Sequence, residues 1–283
     1  MNMITACIDG SKISAYVCDA AAWLGKSLDA PVKLLHVLEK TTVPVNDNLS
    51  GTIGLGSREH LLEEMTALDE QRSKLALEHG KHMLEDAKQR VQNLGVVEVE
   101  LKQRHGELLE ALAASEPNTR VFVLGKLGED HEVTSGRIGS HLENIVRAIH
   151  TPILVSVGEF KAPESYMIAY DGSPTANEAL LKFAESPLLK ESAGHLVMVG
   201  ANNTEHQSQL DSAKNILENH GRSVMAQLIQ GSVQDVLKEY RDNNGIGLMV
   251  MGAYGHSRLR EFFVGSQTSK MIATSPIPLL LLR

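Results

Sequence analysis

The two halves of this sequence repeat the same series of landmarks, and that repeat constrains the fold more than any other feature. The segment Asp9–Ser11 matches Asp171–Ser173, and Gly139-Ser140 matches Gly265-Ser266. The matched aspartates are 162 residues apart and the matched glycines 126, so the first half carries 36 more residues between these landmarks. A chain of 283 residues that repeats in this way predicts two similar domains, which we place at residues 1–158 and 165–283.

Each half alternates short apolar runs, typical of buried strands, with longer stretches of helical spacing. This alternation predicts an α/β fold: two tandem repeats of a five-stranded parallel sheet with helices on both faces. The predicted strands are Met3–Ile8, Val32–Leu38, Val97–Leu101, Val121–Leu124, Ile153–Val157, Tyr166–Ala169, His195–Val199, Ser223–Leu228, Gly247–Met251 and Leu279–Leu282. The predicted helices include Ser14–Leu28, Leu108–Ala114, Ile138–Ala148, Thr175–Ala184, Asp211–Asn219, Val233–Tyr240 and Ser266–Ala273.

The final strand of each half, Ile153–Val157 and Leu279–Leu282, is almost wholly apolar. An exposed sheet edge of that kind would invite aggregation unless it were paired. We therefore expect the two halves to dock through these strands as an intramolecular pseudo-dimer. The sequence leaves open whether two chains also form a homodimer.

Most of the extra length of the first half falls in the charged segment Ser57–Leu94. Apolar residues recur there at roughly helical spacing: Leu61, Met65, Leu68, Leu75 and Leu84. The pattern predicts a long amphipathic helix, which Gly80 could interrupt, packed on its own domain or across the second one. The alternative interpretation is a helix that binds an unidentified protein partner.

The motif Gly252-x2-Gly255-x9-Gly265-Ser266 directly follows the apolar run Leu248–Met251. Glycines let backbone N–H groups approach an anion closely, and a helix that starts after Gly265 adds a favourable dipole. In a parallel sheet, Asp171 and this motif lie at the same carboxyl edge, so both can face one ligand. The sequence therefore predicts a phosphate site at that edge.

Composition and missing motifs narrow the function. The formal net charge is −8 without a basic cluster for nucleic acid, and no apolar run spans a membrane, so we expect a cytoplasmic protein. There is no P-loop, no GxGxxG, no serine-hydrolase elbow and no nucleophile–base pair, so we assign no catalytic residue. The twelve histidines lack metal-site spacing. We expect His36 to be a satisfied core histidine, and Cys7 and Cys18 to be buried thiols.

Three features together resemble the universal stress protein family in its tandem form: the strand-ending Asp-Gly-Ser, the glycine motif, and a last strand that begins Ile277-Pro278. The resemblance covers essentially the whole chain and implies the adenine-nucleotide-binding α/β fold of that family. In members that bind ATP or AMP, the aspartate lies near the adenosine, and the glycine motif with its hydroxyl holds the phosphates and ribose. Carried over to the second half, this implies a nucleotide site at Asp171, Gly252, Gly255, Arg258, Gly265, Ser266, Gln267 and Thr268.

The first half departs further from the family pattern. Its glycines are spaced one residue wider before Gly139, and residues 129–132 carry three carboxylates. Each carboxylate close to a polyphosphate would oppose binding by roughly 1 kcal/mol even in watery surroundings. We interpret this half as a degenerate second site made of Asp9, Gly125, Gly128, Gly139 and Ser140. The alternative role for both aspartates is to cap the turn after their strands.

These features and the resemblance predict a stress-response protein that binds ATP or AMP in its second domain, with Mg²⁺ as an option beside ATP. We expect it to act as a sensor or regulator and not as an efficient enzyme, because no catalytic base accompanies the phosphate loop. Three alternatives stay open: a nucleotide-independent interaction scaffold, a binder of an apolar ligand, and a slow ATPase.

Overall fold

A computed structural model describes residues 2–38, 55–126, 140–252 and 265–283. Within them, ten strands form one sheet in the order β3-β2-β1-β4-β5-β10-β9-β6-β7-β8. The strands are β1 Met3–Cys7, β2 Val32–Leu38, β3 Val99–His105, β4 Thr119–Gly125, β5 Ile153–Ser156, β6 Ser165–Tyr170, β7 Ala193–Val199, β8 Val224–Ile229, β9 Leu248–Gly252 and β10 Leu279–Leu282. Each half is thus a five-stranded parallel sheet, as the sequence predicts.

Helices cover both faces of this sheet. They are α1 Lys12–Leu28, α2 Leu55–Asn93, α3 Leu108–Ser115, α4 Ser140–Ala148, α5 Pro174–Glu185, α6 Thr204–Asn219, α7 Val233–Asn243 and α8 Gly265–Thr274. The buried residues of α1, α2, α5 and α6 share one apolar core with one face of the sheet. Those of α3, α4, α7 and α8 share a second core on the opposite face. Among the described helices, none combines the length and the apolar character needed to cross a bilayer.

The two halves join through their last strands. β5 and β10 pair antiparallel, with Leu154 opposite Leu280, and every residue of both strands is buried. Pairing removes the exposed edges that the apolar composition of these strands would otherwise present. The expected docking is therefore confirmed. Because the pairing is antiparallel, the strands of the two halves run in opposite directions, and their carboxyl ends lie at opposite edges of the ten-stranded sheet.

The long helix α2 is continuous through Gly80, so the break that the sequence allowed at this glycine does not occur. Its C-terminal part matches α6 residue for residue: the buried pairs, each 126 residues apart, are Leu84 and Leu210, Ala87 and Ala213, and Val91 and Leu217. α6 begins at Thr204, which corresponds to Glu78. The extra residues of the first half therefore lie before Glu78, and not along the whole of 57–94.

Candidate functional site at the carboxyl edge of the second half

The order of the strands creates a switch point between β6 and β9. β6 connects outward to β7, whereas β9 leads to β10 on the other side, and the two strands pair in parallel with Ala169 opposite Met251. Asp171 directly follows β6, and Gly252 is the last residue of β9. The structure therefore brings these two predicted site residues to one edge, at the place where open α/β sheets bind ligands.

Asp171 lies in a turn that leads into α5. Its Oδ1 accepts a hydrogen bond from the backbone N–H of Ser173 at 3.0 Å, and the Ser173 hydroxyl accepts one from the N–H of Ala176 at 3.1 Å. This is the turn-capping role that the sequence offered as an alternative. The Asp171 carboxylate is exposed, and within the described residues its Oδ2 has no hydrogen-bond partner.

Gly172 between them has a φ of +75°. A Cβ on this residue would come within 2.4 Å of Oε1 of Gln209, a side chain of α6. The left-handed backbone conformation favours glycine here. Gln209 is thus a neighbour of the site that the sequence motifs do not reveal, because it lies in a different helix.

The third part of the site is the start of α8 at Gly265. Its first turns contain the predicted residues Ser266, Gln267 and Thr268, and a helix N-terminus of this kind presents free N–H groups and a partial positive charge. The other two predicted residues, Gly255 and Arg258, lie outside the described residues.

Behind Gly252, the described residues leave a crevice of about 10 Å³ under α5. Tyr170 and Ala176 contribute to its wall. Tyr170 donates to Oδ1 of Asn177 at 2.6 Å, and burial, followed by the charge of Asp171, raises the pKa of its hydroxyl, which stays protonated. A volume near one water is too small for a nucleobase. A ligand at this edge would therefore lie outside the strand ends and not under α5.

The first half builds its turn differently. Oδ1 of Asp9 accepts from the N–H of Ser11 at 3.0 Å and from the hydroxyl of Ser14 at 2.8 Å. The same hydroxyl accepts the N–H groups of Asp9 and Gly10, both at 3.1 Å. These hydrogen bonds hold Asp9 within its own turn. Ser14 was missed by the sequence reasoning, although a hydroxyl five residues after the aspartate was a readable signal.

Other residues of the first site are only partly described. Gly125 ends β4 beside β1, and Ser140 begins α4, whereas Gly128 and Gly139 lie outside the described residues. Over Gly10 stands α2 instead of α6: a Cβ there would meet Sδ of Met83 at 3.2 Å.

The titratable groups nearby have structural explanations. Cys18 is buried as expected, whereas Cys7 is only half-buried. His36 is buried, and its Nδ1 lies 2.9 Å from the carbonyl oxygen of Ile8, which confirms the satisfied core histidine. Burial raises the pKa of both thiols, Cys7 and Cys18, to about 12, with neighbouring aspartates adding to the shift. Neither thiol is a thiolate nucleophile at neutral pH. Within the described residues, no group of three His, Cys, Asp or Glu side chains could hold a metal ion.

Comparison with known proteins decides the family. Residues 1–156 and 186–283 match the Universal stress protein family. The chain belongs to this family. It is 34% identical over its whole length to Universal stress protein Slr1230 of Synechocystis sp., and the match covers 100% of both chains.

Solved structures agree with the fold. The crystal structure of a universal stress protein from Archaeoglobus fulgidus superposes with a TM-score of 0.72 at 17% identity, covering 99% of this chain and 98% of that one. A putative universal stress protein from Pseudomonas aeruginosa superposes with a TM-score of 0.65 at 11% identity, covering 100% and 93%. At these identities the similarity shows the fold alone. Both matched structures align with this chain over both of its halves.

Proposed function

We propose that this universal stress protein binds an adenine nucleotide, ATP or AMP, at the carboxyl edge of its second half, and acts as a sensor or regulator in a stress response. The observation that carries the proposal is that Asp171 and Gly252 lie together at one switch point. The helix α8, which connects the parallel strands β9 and β10, begins at the same carboxyl edge. Nucleotides bind at this position of open α/β sheets, with phosphate at a helix N-terminus.

Each of these residues has a distinct task in the proposal. The N–H groups of the first turn of α8 would bind phosphate oxygens, and the hydroxyls of Ser266 and Thr268 are placed by sequence in that same turn. Oδ2 of Asp171 would accept a hydrogen bond from the adenosine, since Oδ1 already caps the turn. Gly252 keeps the end of β9 free of a side chain, where the ligand approaches.

A regulatory role requires that ligand binding at α8 changes the contacts of another part of the molecule. The Ser269 hydroxyl of α8 donates to Oε1 of Glu143 in α4 at 3.2 Å. From the first half, Nζ of Lys126 donates to the carbonyl oxygen of Ser275, just after α8, at 3.0 Å. α8 and the residue that follows it therefore contact the first half at two points, and a nucleotide that shifts α8 would bias both contacts.

The test is nucleotide content and affinity. Purified protein is denatured, the supernatant is analysed by mass spectrometry, and the emptied protein is titrated with ATP and AMP in a calorimeter. We expect one equivalent per chain, lost in Gly265→Val because the added side chain blocks the approach to phosphate. Gly139→Val, the same change in the first half, is the matched control and should leave binding intact. Two equivalents would contradict the placement, and no bound nucleotide with no heat would overturn the proposal.

A second candidate function is a nucleotide-independent interaction scaffold, favoured by the exposed N-terminal part of α2. Residues 63–76 are all exposed, although the corresponding α6 lacks such an extension altogether. Removal of this part of α2 should then abolish the interaction, whereas Gly265→Val should not affect it.

A further inference from the structure

A cleft of about 250 Å³ lies between the C-terminal ends of α1 and α5, where β4 and β10 face these helices. Most of its wall is apolar, and the apolar side chains come from both halves: Leu28, Val121, Phe183, Leu188, Leu280 and Leu282. Apolar cavities of about 150 Å³ hold a benzene molecule, so this cleft has room for a substituted ring or two fused rings. The described residues of the proposed nucleotide site do not line it.

Because the two halves repeat each other, the cleft has a counterpart on the other side of the joint between them. Glu185 of the cleft corresponds to Trp23, since each lies twelve residues after the serine that precedes its helix. Arg120 of the cleft corresponds to Gly247, since each lies two residues before the residue that pairs with the start of the last strand of its half. Trp23 and Gly247 therefore mark the counterpart.

The linker between the halves covers this counterpart. The ring of Phe160 packs against Trp23, with 5.5 Å between the ring centroids, and both pack on the core beneath α1 and α5. Pro163 is buried against Gly247, where a Cβ would come within 3.2 Å of the proline Cβ. The protein thus fills one side of the joint with an aromatic ring and a proline. On the other side, the described residues leave the cleft open.

The cleft differs from its counterpart in its charged groups. Arg120 is half-buried in the wall, and its Nη1 donates to the carbonyl oxygen of Leu28, another wall residue, at 3.2 Å. Among the described residues, no carboxylate pairs with this guanidinium. Lys182 also lines the cleft and donates to the carbonyl oxygen of Arg283 at 2.5 Å, whereas Glu185 is the one acid of the lining and is exposed. Two cations and one exposed acid therefore border an apolar space.

We propose that this cleft binds a small aromatic carboxylate, with the ring between α1 and α5 and the carboxylate on Arg120. A guanidinium presents N–H groups in a planar fork that matches the two oxygens of a carboxylate, and a hydrogen bond between charged groups is stronger than one between neutral groups. The ring would occupy the position that Phe160 occupies in the counterpart. Such a ligand would contact both halves at once, because each half contributes part of the wall.

Three naphthalene probes test the charge preference in the wild-type protein. Naphthoate, neutral naphthalenemethanol and cationic naphthylmethylammonium are titrated in a calorimeter. We expect one equivalent of naphthoate, bound about tenfold more tightly than the alcohol, and the ammonium bound most weakly. A lack of saturation by naphthoate at millimolar concentration would overturn the proposal, and so would equal affinities for the three probes.

The variant Arg120→Gln removes the cation and keeps a polar side chain. Its affinity for naphthoate should fall about tenfold, to that of the alcohol, whereas its affinity for the alcohol should not change. Arg104→Gln is the matched control, because Arg104 is also half-buried but lies in β3 at an edge of the sheet, and it should bind naphthoate like the wild type. Undiminished binding of naphthoate by Arg120→Gln would refute the site.

Glu185→Trp tests the cleft from its exposed side. It introduces the side chain of Trp23 at the equivalent position, and we expect this bulk to cover the cleft and abolish naphthoate binding. Gly265→Val, which should lose the nucleotide, should still bind naphthoate, so the two proposals can fail separately. Wild-type affinity in Glu185→Trp would contradict the placement in the cleft. Loss of naphthoate binding in Gly265→Val would also contradict it, because the probe would then occupy the nucleotide site.

Discussion

The connection between the first helix and the second strand differs between the two halves. In the first half, residues 29–31 join α1 to β2, and in the second, residues 186–192 join α5 to β7. The short link uses the left-handed residue Asp29, at φ +47°, and Ala30 donates to the carbonyl oxygen of Gly25 at 2.9 Å. The longer link instead leaves several carbonyl groups to be satisfied from elsewhere.

Arg222 supplies those hydrogen bonds. The residue is 1% exposed, and its guanidinium lies over the ring of Phe183 at 4.3 Å. Nη2 donates to the carbonyl oxygens of Phe183 and Leu188 at 2.8 and 3.0 Å and also contacts that of Ser186. In the first half the equivalent position, 126 residues earlier, is the apolar Val96. One architecture thus accepts either a tight link over an apolar residue or a long link around a buried arginine.

We expect the largest effect when Arg222 is replaced by valine, the residue at the equivalent position of the first half. Arg222→Val leaves carbonyl groups at the end of α5 and in the 186–192 link without the partner that Arg222 provides, and we expect a loss of about 3 kcal/mol in the free energy of unfolding. Urea denaturation measures it. The control is Arg147→Val, whose arginine is 52% exposed and pairs with Glu143 on the same helix, where the loss should stay below about 1 kcal/mol. Equal losses in both variants would contradict this account.

The two halves also differ in the position of the glycine that lets a helix approach the sheet closely. In the first half it lies on the helix: a Cβ on Gly80 would come within 2.8 Å of Cδ2 of His36 and 2.1 Å of Nε2 of Gln103. In the second half the helix carries His206 at the equivalent position, and the glycine is Gly200 just after β7, where a Cβ would come within 2.9 Å of Nδ1 of that histidine.

A side chain at Gly80 should therefore separate α2 from the sheet. Gly80→Leu overpacks the contact with the buried His36 and should cost about 2 kcal/mol, even though leucine favours helices more than glycine does. Ser73→Leu adds the same side chain two turns earlier on the same face, where the helix is exposed, and should be nearly neutral. The measurement is the free energy of unfolding of both variants. A stabilised Gly80→Leu would mean that α2 can move outward without loss.

Much of this fold could be predicted from the sequence, because buried parallel strands appear as continuous apolar runs. β2 and β10 have the predicted ends, and most other strands agree within two residues. The predicted ends of strands and helices were wrong where the residues are only partly buried. β3 runs to His105 as an edge strand with alternating exposure, and α6 begins at Thr204 instead of Asp211, because its first turns are polar and exposed. The Asn203 side chain that caps α6 was a readable signal.

The candidate site was predictable only in part, for a different reason. Short motifs identify the residues at the strand ends, so the neighbourhood of Asp171 and Gly252 followed from topology. The contacts that distinguish the halves come from distant parts of the chain: Gln209 approaches Gly172, and Met83 approaches Gly10. A buried arginine such as Arg222 is also invisible in the sequence, because most arginines are exposed.

The smallest contrast concerns pH. His195 in β7 occupies the position of Lys33 in β2, whose Nζ lies 3.3 Å from Oε1 of Glu100. Nδ1 of His195 is 3.0 Å from the Tyr240 hydroxyl, and burial lowers the pKa of this imidazole below its ordinary value of 6.5. The unfolded chain therefore binds a proton at a higher pH than the folded one does, and stability falls as the pH drops below about 6.5, until the folded pKa is passed.

His195→Gln keeps a polar side chain next to Tyr240 but cannot titrate. The difference in unfolding free energy between wild type and variant should therefore shift in favour of the variant when urea denaturation is repeated at pH 5.5 instead of 7.5. The same comparison for Lys33→Gln, at the equivalent position of the first half, is the control and should show no such change. A constant difference for His195→Gln would show that the acid sensitivity of the second half arises from another group.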